Sequence, residues 1–506
     1  MRILIANRGE IAVRIVRACQ ELGHESVALY SDADRTQPHV MKADWAVRIG
    51  PAPARDSYLN QSAVLAAARQ TGAQAVHPGY GFLAENAEFA RAVGAAGLVW
   101  IGPPPEVIEL LGSKTAAREL AQRVGAPVVP GTPPLRDATQ AAEFAAVVGY
   151  PILLKAVGGG GGKGMREVRS AAELDEAFTR AASEGRAFFS DDRVYAEKLI
   201  VRPRHVEVQI IGDRFGNLFH FGERECSLQR RHQKVVEEAP SLAVDAALRA
   251  RLGEVALAVA RAADYRSAGT VEFLLAPTGE FYFLEVNTRL QVEHPVTEVV
   301  YGVDLVHLMI REALGERLEL RQDAIAPRGH AVECRVYAED PLRGFAPSPG
   351  TITLLERPDG PGIRVDTGVR AGSVVPLDYD PILAKLIVWA EDRPRVLDRL
   401  GRALSEYRIT GIATTLPLFR LLLDVPEFRS AALHTGLLDE LLTRGPVEHL
   451  EAASDPHLEE AALVAAACLE TLAVSRLPGD TLATAEREGA NWRHEGRRFA
   501  HGRDPR

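Results

Sequence analysis

The first hundred residues alternate short apolar runs with amphipathic stretches. The opening run, RILIAN, is typical of a strand, and the next stretch places Ile11, Ile15, Ala18 and Leu22 at helical spacing. Three later runs also predict strands, namely ESVALYS, AQAVHPGYG and GLVWIGP. Because strands that alternate with helices form parallel sheets, we predict an α/β fold with a doubly wound amino-terminal domain at residues 1–112.

The pattern changes after residue 112. A helical pattern surrounds Lys114, the segment VVPGTPPLRD predicts a linker, and residues 135–204 predict a compact α/β unit around a glycine-rich loop. From residue 205 onward the patterns are those of hairpins, among them RHVEVQIIGDRFGNLFHFGERE and GTVEFLLAPTGEFYFLEVN. We therefore predict a lid region at residues 113–204, a carboxy-terminal antiparallel-sheet α+β domain at residues 205–445, and a helical and polar tail at residues 446–506 that could begin a following domain.

Composition and charge exclude several classes of protein. A net charge of -9 over 506 residues gives no reason to expect a nucleic-acid or anionic-membrane partner. The apolar run in MRILIANRGE is too short for a signal peptide, and no stretch approaches the roughly 18 apolar residues of a membrane span. The four cysteines are scattered without a CxxC pair, which favours a reduced protein. We expect a cytoplasmic protein that contacts neither nucleic acid nor membrane.

A run of five glycines, Gly158–Gly162, follows an apolar strand in PILLKAVGGGGGKGM. The P-loop pattern fails because Lys163 is followed by Gly164, and a dinucleotide-binding loop would need a helix where MREVRS predicts a strand. What remains is a hairpin whose tip presents backbone N–H groups without side-chain bulk, while Lys155 adds positive charge. We favour a lid that closes over a nucleotide, and the alternative is a flexible surface turn.

Two glutamates oppose each other in the last predicted hairpin. A two-residue turn at Thr278 and Gly279 places Glu272 opposite Glu285 across the ladder. Directly opposed like charges destabilise a sheet unless a cation compensates, and Mg²⁺ is commonly held by one or two carboxylates plus substrate phosphates. Asn287, on the same strand face, could add an oxygen ligand. The alternative is an exposed hairpin whose carboxylates point apart into water.

Two charged segments complete the candidate chemistry. The strand after Glu285 continues into NTRLQVEHPVTE, which brings several polar side chains close to the predicted metal. The other segment is ERECSLQRRHQKVVEE, where a solvated face or a weak nucleic-acid patch is the alternative. Its acidic residues balance the basic ones, which argues against nucleic acid.

Taken together, these segments resemble the biotin carboxylase family, the ATP-grasp enzymes that carboxylate biotin. The resemblance spans roughly residues 1–445 and is carried by IANRGEIA, HPGYGFLAEN, KAVGGGGGKGM, CSLQRRHQKVVEEAP, FLEVNTRLQVEHPVTE and GHAVECRVYAEDP. It implies an ATP-dependent ligase with an ATP-grasp lid, which uses Mg²⁺ (or Mn²⁺) and bicarbonate to carboxylate biotin through carboxyphosphate. It also implies a role as the biotin carboxylase component of a biotin-dependent acyl-CoA carboxylase.

The resemblance implies a role for each matching residue. Glu293 would be the general base, Arg335 would stabilise the biotin enolate, and Arg289 and Lys234 would assist catalysis. The residues implied for bicarbonate and biotin are Lys234, Arg289, Gln291, Val292, Arg335 and Tyr80. The residues implied for ATP are Lys114, Lys155, Gly160, Gly161, Gly162, Met165, Glu197, Lys198, Ile200, His205, Gln229, His232, Glu272 and Glu285. The residues implied for the metal are Glu272, Glu285 and Asn287.

The resemblance also implies partners. None of the four methionines belongs to the Met-Lys-Met sequence on which biotin is attached, so we expect biotin on a separate carrier protein or domain, or a chain that is part of a longer polypeptide. A carboxyltransferase subunit would use the carboxybiotin. A homodimer is expected too, although Pro361 stands where relatives often carry an aromatic residue at the dimer contact.

Two other functions are compatible with parts of this pattern. An ATP-grasp ligase that activates a different carboxylate as an acyl phosphate would share the lid and the metal, but it would not need RLQVEHP or Arg335. A non-catalytic nucleotide-binding or assembly subunit is the other, and the complete set of candidate catalytic residues argues against it.

Overall fold

The computed structural model describes residues 1–157, 164–189 and 191–444. Three residues implied for ATP binding, Gly160, Gly161 and Gly162, lie outside these described residues, as does the predicted tail at residues 446–506.

Parallel strands and helices alternate along the amino-terminal region, as the apolar pattern predicted. The elements are β1 (Arg2–Ile5), α1 (Gly9–Glu21), β2 (Glu25–Ser31), α2 (Pro38–Lys42), β3 (Trp45–Gly50), α3 (Gln61–Thr71), β4 (Ala75–His77), α4 (Ala87–Ala95), β5 (Val99–Trp100) and α5 (Pro105–Gly112). The five strands form one parallel sheet in the order β3-β2-β1-β4-β5. Ile3 and Ile5 pack against α1, whereas Leu4 on the opposite face packs in the cluster that holds α3 and α4. Helices on both faces confirm the doubly wound fold.

A small antiparallel sheet forms the lid region. The elements are α6 (Lys114–Arg123), α7 (Ala138–Val148), β6 (Ile152–Ala156), β7 (Met165–Val168), α8 (Leu174–Phe189) and β8 (Val194–Lys198). β6 pairs with β7 across the glycine loop, so the predicted strand–loop–strand hairpin is confirmed. The segment at residues 128–137, which we predicted as a linker, is attached to the small sheet, because the backbone N–H groups of Thr132 and Leu135 donate hydrogen bonds to β8.

An eight-stranded antiparallel sheet forms the centre of the remaining chain. Its first part comprises β9 (Arg204–Gly212), β10 (Leu218–Arg230), β11 (Gln233–Ala239), α9 (Ala246–Ala262), β12 (Ser267–Leu275), β13 (Phe281–Asn287), α10 (His294–Tyr301), α11 (Leu305–Ala313) and β14 (His330–Tyr337). The strand order is β13-β12-β9-β10-β11-β14, and two later strands complete the sheet. The two hairpins that the sequence predicted are β9–β10 and β12–β13.

The later elements extend this sheet and cover one of its faces. They are β15 (Glu339–Asp340), β16 (Ala346–Pro347), β17 (Gly350–Thr351), β18 (Leu354–Glu356), β19 (Ile363–Thr367), β20 (Val374–Val375), β21 (Ile382–Ala390), α12 (Arg393–Glu406), β22 (Arg408–Thr410), α13 (Leu416–Leu422), α14 (Pro426–Arg429) and α15 (Leu437–Arg444). β21 pairs with β14, and β19 forms the edge. The apolar residues of α12 and α13 pack with those of β14 and β21 in one core. A carboxy-terminal α+β domain is thereby confirmed.

The turn between β12 and β13 differs from the prediction. A two-residue turn would pair Leu275 with Tyr282, but Leu275 pairs with Phe281 around a longer turn in which the Ala276 N–H donates to the Glu280 carbonyl at 2.8 Å. Glu272 still pairs with Glu285, because the register shifts by one residue at exposed Leu284. A β-bulge of this kind adds one residue to one strand. The opposed pair was therefore correct, but the turn that we used to predict it was wrong.

None of the helices in the described ranges combines the length and the apolar character that crossing a lipid bilayer would need.

Gly368 allows close packing between the end of β19 and the start of α1. A Cβ atom at this position would stand 2.6 Å from the carbonyl carbon of Gly9 and closer still to the backbone nitrogen of Glu10. We predict that Gly368→Ala lowers the free energy of unfolding by about 1–3 kcal/mol, because backbone cannot move aside as a side chain would. Denaturant titration measures this change.

The matched control is Gly94→Ala in α4, where a Cβ atom would meet nothing within 4 Å. We expect this variant to be neutral or stabilised by up to about 1 kcal/mol, since alanine is the better helix former. Equal changes in the free energy of unfolding of the two alanine variants would show that the close approach of Gly368 to α1 does not contribute to stability.

Candidate active site

One row of charged residues crosses four strands of the large sheet. The register pairs Glu285 with Glu272, Glu272 with Glu207, and Glu207 with Arg224. Paired residues on adjacent antiparallel strands share a face, so these four side chains lie on the same side of the sheet. Three neighbouring carboxylates repel one another, and Arg224 compensates only one of them directly, so the row needs further positive charge.

Lys234, from β11, supplies positive charge to this row. Its Nζ atom lies 2.5 Å from Glu207 Oε2, 2.9 Å from Glu272 Oε1 and 2.7 Å from Glu293 Oε1. All three carboxylates are buried, and the lysine side chain is only 12% exposed. Burial acts to raise the pKa of Glu272, but Lys234 and His205 outweigh it and hold that pKa well below the usual range. The ammonium thus helps to keep Glu272 ionised.

Glu293 is bound on both of its oxygens. Lys234 contacts Oε1, and the Arg335 Nη2 atom donates to Oε2 at 2.9 Å. Arg335 also donates from Nε to Glu237 at 2.5 Å. Burial acts to raise the pKa of Glu293, but Lys234 and Arg335 together hold it well below the usual range. Glu293 is therefore an ionised carboxylate at neutral pH.

Burial has the opposite net effect on Glu237. It raises the pKa of this carboxyl to about 7, although Arg335 partly offsets the shift. Arg335 thus lies between one acid that stays ionised and one that titrates near neutrality.

Arg289 and Gln291 lie beside Glu272, to which Gln291 donates a weak hydrogen bond at 3.4 Å. The guanidinium donates to Glu85 at 2.9 Å, to Gln291 Oε1 at 2.9 Å and to Asn287 Oδ1 at 3.3 Å. Glu85 precedes α4, so the amino-terminal region contributes directly to the site. Burial acts to lower the pKa of Arg289, but Glu85 and Glu293 raise it overall.

His205 and Gln229 line the cluster from β9 and β10. The Nε2 atom of His205 lies 3.0 Å from Glu272 Oε2, and its Nδ1 atom lies 2.7 Å from Gln229 Nε2. Both residues are buried. The structure thus joins two of the residues implied for ATP to the carboxylate row.

Three family models match consecutive parts of the chain. Residues 1–108 match the amino-terminal domain of biotin carboxylase, residues 113–321 match the ATP-binding domain of the carbamoyl-phosphate synthase L chain, and residues 333–440 match the carboxy-terminal domain of biotin carboxylase. A biotin carboxylase from Nostoc is 49% identical over 441 residues, which cover 87% of this chain and 99% of that protein. The chain belongs to the biotin carboxylase family.

Two other relatives are named as a subunit and as a chain of carboxylases. A pyruvate carboxylase subunit from Methanothermobacter thermautotrophicus is 49% identical, with 87% of this chain and 89% of that protein aligned. The propionyl-CoA carboxylase alpha chain of Ruegeria pomeroyi is 46% identical, with 88% of this chain and 68% of that protein aligned.

Solved structures share the fold. A biotin carboxylase–β,γ-ATP complex from Campylobacter jejuni is 44% identical with a TM-score of 0.81, and the match covers 87% of this chain and 98% of that one. The biotin carboxylase domain dimer of Hydrogenobacter thermophilus 2-oxoglutarate carboxylase, in complex with MgADP, ADP and bicarbonate, is 46% identical with a TM-score of 0.80, covering 87% and 97%. Family membership makes this chain an ATP-dependent ligase with an ATP-grasp fold.

The biotin carboxylase lid contributes its own ion pairs. Lys155 in β6 pairs with Glu197 in β8, and Met165 pairs with Lys155 across the β6–β7 ladder. The Lys198 ammonium donates to the carbonyls of Gly149 at 3.0 Å and Tyr150 at 3.2 Å. Its role toward ATP stays a prediction, as does that of half-buried Ile200, which follows β8.

Four of the implied residues make no hydrogen bond or ion pair, within the described part of the chain, to Lys234 or to the three carboxylates that it contacts. Lys114 begins α6 with its side chain 85% exposed and its Nζ atom 3.5 Å from Glu285 Oε2. His232 is exposed at the turn between β10 and β11. Tyr80 donates its hydroxyl to Glu10, and the Val292 carbonyl accepts from Lys385 at 2.8 Å.

The proposed metal ligands fit a hard cation. Glu272 and Glu285 are opposed in register, and the Glu285 side chain is 35% exposed with Lys114 as its ionic partner. Glu272 Oε1 accepts hydrogen bonds from Lys234, from Asn287 at 2.9 Å and weakly from Gln291 at 3.4 Å. Carboxylate and amide oxygens are the donors that Mg²⁺ prefers, so these residue types fit the ion, which would share Glu272 with Lys234 and His205.

Sequence reasoning missed Glu207, Arg224 and Glu237. A signal for Glu207 was present, because His205, Glu207 and Gln209 alternate with valines along β9 and so share one strand face. Arg224 is fully buried and bonds Glu207 at 2.5 Å. Only the strand register shows that its charge faces this row.

Arg335 should make stability depend on pH. We predict that Arg335→Met lowers the free energy of unfolding by about 3–5 kcal/mol near pH 7, because the variant leaves Glu237 and Glu293 buried without the guanidinium. Without Arg335 the pKa of each acid rises in the folded state, and stability then falls as the pH rises above the unfolded pKa. The difference from wild type should therefore shrink from pH 8 to pH 5.

Denaturant titrations at pH 5, 6.5 and 8 measure this difference. The control is Arg402→Met, which breaks an exposed pair with Glu406 and should cost less than about 1 kcal/mol at each pH. A loss for Arg335→Met that did not change with pH would mean that the acids do not carry the effect.

Proposed function

We propose that this chain catalyses the ATP- and Mg²⁺-dependent carboxylation of biotin by bicarbonate, as the biotin carboxylase component of an acyl-CoA carboxylase. One observation carries the proposal. Glu293 is a buried, ionised carboxylate with Lys234 on one oxygen and Arg335 on the other. Glu293 thus lies within hydrogen-bond reach of both cations, which supports the assignment of Glu293 as base, Lys234 as bicarbonate-binding cation and Arg335 as enolate-stabilising cation.

The nucleotide would bind between the lid and the large sheet. Lys155 and Lys114 would contact the phosphates, with the glycine loop closing over them, and Glu197, Lys198 and Ile200 would lie near adenine. A magnesium ion held by Glu272 and Glu285, with Asn287 adjacent, would supply positive charge at the phosphates. Closing the lid would keep water from a reactive intermediate.

Bicarbonate would bind among Lys234, Arg289, Gln291 and Val292. Its entry requires Lys234 and Arg289 to exchange part of their present hydrogen bonds for the anion. Glu293 would then accept the bicarbonate proton, since it is present as the carboxylate. Loss of its hydrogen bonds to Lys234 and Arg335 as the substrates bind would raise its pKa and so make it a stronger base. The deprotonated bicarbonate oxygen would attack the γ-phosphorus of ATP, which forms carboxyphosphate and releases ADP.

Carboxyphosphate would decompose to CO₂ and phosphate. The phosphate would remove the proton from the biotin ureido nitrogen, and the resulting nitrogen would attack CO₂. Arg335, which stays charged at all accessible pH values, would pair with the enolate oxygen, and Tyr80 would lie beside the biotin pocket.

The partners follow from this function and from the relatives. We propose that biotin arrives on a separate carrier protein or domain, that a carboxyltransferase subunit uses the product, and that the chain forms a homodimer. The Hydrogenobacter relative is described as a dimer, and the Ruegeria relative is an alpha chain of a carboxylase. A cytoplasmic location is also proposed, and it is supported by three buried free cysteines, Cys19, Cys226 and Cys334.

The base assignment predicts the effect of Glu293→Gln. This variant should lower bicarbonate-dependent ATP turnover with free biotin by about 10²- to 10⁴-fold, because the amide cannot accept the bicarbonate proton. Release of phosphate with and without bicarbonate measures the effect. The control is Glu312→Gln, a buried glutamate whose pKa burial raises to about 7 and which packs near Arg214.

The same assay separates the alternatives. Unchanged turnover in Glu293→Gln would falsify the base assignment. Wild-type ATP turnover that does not depend on bicarbonate would favour a ligase for another carboxylate. Absence of turnover with Mg²⁺ would favour a non-catalytic nucleotide-binding subunit.

The metal assignment predicts the effect of Glu285→Gln. The Mg²⁺ concentration for half-maximal turnover should rise about tenfold, equivalent to about 1.4 kcal/mol, because one charged ligand is lost. Binding of Mn²⁺ in the presence of ADP, followed by electron paramagnetic resonance, should weaken in parallel. The control is Glu280→Gln on the same hairpin, where the carboxylate bonds Thr278 and Tyr282. Equal metal affinity in both variants would remove Glu285 from the metal site.

A further inference from the structure

Lys385 in β21 is a buried lysine that the proposed reaction does not use. Its side chain is 0% exposed, and its Nζ atom donates to the Val292 carbonyl at 2.8 Å. The strand register places it opposite Arg335 on β14 and Asp366 on β19. Burying an ammonium group costs several kcal/mol unless it finds charged and polar partners, so its position needs a physical explanation.

Glu10 is the ionic partner of this lysine. Its Oε1 atom lies 3.2 Å from Lys385 Nζ and also accepts the Tyr80 hydroxyl. Glu10 belongs to the first turn of α1 and is itself buried. A continuous polar chain therefore runs from Tyr80 through Glu10 and Lys385 to the Val292 carbonyl.

The hydrogen bond to the Val292 carbonyl also restrains the backbone of the next residue, Glu293. The Val292 carbonyl and the Glu293 N–H belong to one rigid peptide plane, so fixing the oxygen fixes the start of the Glu293 backbone. Glu293 immediately precedes α10, and its side chain makes no capping hydrogen bond to that helix within the described residues. The carboxylate is directed instead to Lys234 and Arg335.

We infer that Lys385 is a positioning residue for the bicarbonate-binding segment. Its hydrogen bond to the Val292 carbonyl fixes the Val292–Glu293 peptide, and its ion pair with Glu10 fixes the lysine side chain. Among the described hydrogen bonds, Lys385 makes none to Lys234, Glu272 or Glu285. It therefore acts through the backbone of Val292. This inference rests on the proposed function for its catalytic consequence, but its structural part does not.

The test uses the full chain with two variants. Lys385→Met keeps the length of the side chain and removes the charge, but it leaves Glu10 buried without its partner. The double variant Glu10→Gln/Lys385→Met removes both charges. It therefore separates the loss of the hydrogen bond to Val292 from the cost of an unpaired buried acid. Hydrogen exchange of the Leu290–His294 amides and the separate KM values for bicarbonate and ATP are the measurements.

The control is Arg393→Met. Arg393 is also a buried cation that bonds a buried glutamate, Glu238, and backbone carbonyls, those of Phe428 and Arg429. It should lower the melting temperature without changing exchange at Leu290–His294 or the KM for bicarbonate.

We expect faster exchange at Leu290–His294 and a KM for bicarbonate about tenfold higher in both Lys385 variants, with the KM for ATP changed by less than about twofold. A purely structural role would lower the fraction of active enzyme and leave both KM values unchanged. Wild-type exchange in the double variant would overturn the inference, and so would faster exchange with an unchanged KM for bicarbonate. If the wild type shows no bicarbonate-dependent turnover, the proposed function fails, and the exchange measurement alone decides whether Lys385 holds the segment.

Discussion

The contact on which the site depends is the Lys234 ammonium among Glu207, Glu272 and Glu293. Each of these carboxylates is buried, and an unpaired buried carboxylate would be protonated rather than ionised. Lys234 lies 2.5–2.9 Å from all three and helps to keep both the proposed metal ligand and the proposed base charged, together with His205 at Glu272 and Arg335 at Glu293. Because the three acids come from different segments of the chain, Lys234 contacts all of them only while the surrounding strands keep their register.

The eight-stranded sheet supplies that register. Four of its strands, β9, β10, β12 and β13, align Glu285, Glu272, Glu207 and Arg224 in one row. β14 carries Arg335, which binds the Glu293 oxygen that Lys234 does not contact. The amino-terminal region adds two further contacts, from Glu85 to Arg289 and from Glu10 to Lys385. The site is thus built from segments distant in sequence, and its charges are compensated only when all of them are in place.

The β12–β13 hairpin shows how far local reasoning reaches. Composition and alternation correctly predicted two strands and their antiparallel pairing, and the opposition of Glu272 and Glu285 was also correct, although the turn from which it was predicted was wrong. The turn was one residue longer than predicted, and the bulge at Leu284 restored the pairing that the longer turn would have shifted. Without that bulge Glu285 would lie on the other face of the sheet, since side chains alternate along a strand. Turn length is decided by packing around the loop, which periodicity does not report.

The sequence by itself determined the alternating amino-terminal fold, the glycine hairpin, the later hairpins and most of the candidate polar residues, because these depend on local period and residue chemistry. The family resemblance added roles for single residues such as Arg335. Only the tertiary structure decided which charges meet: Arg224 with Glu207, Arg335 with Glu237, and Lys385 with both Glu10 and Val292. The physical reason is that a charge is compensated by neighbours in space, and strand order places those neighbours up to several hundred residues away along the chain.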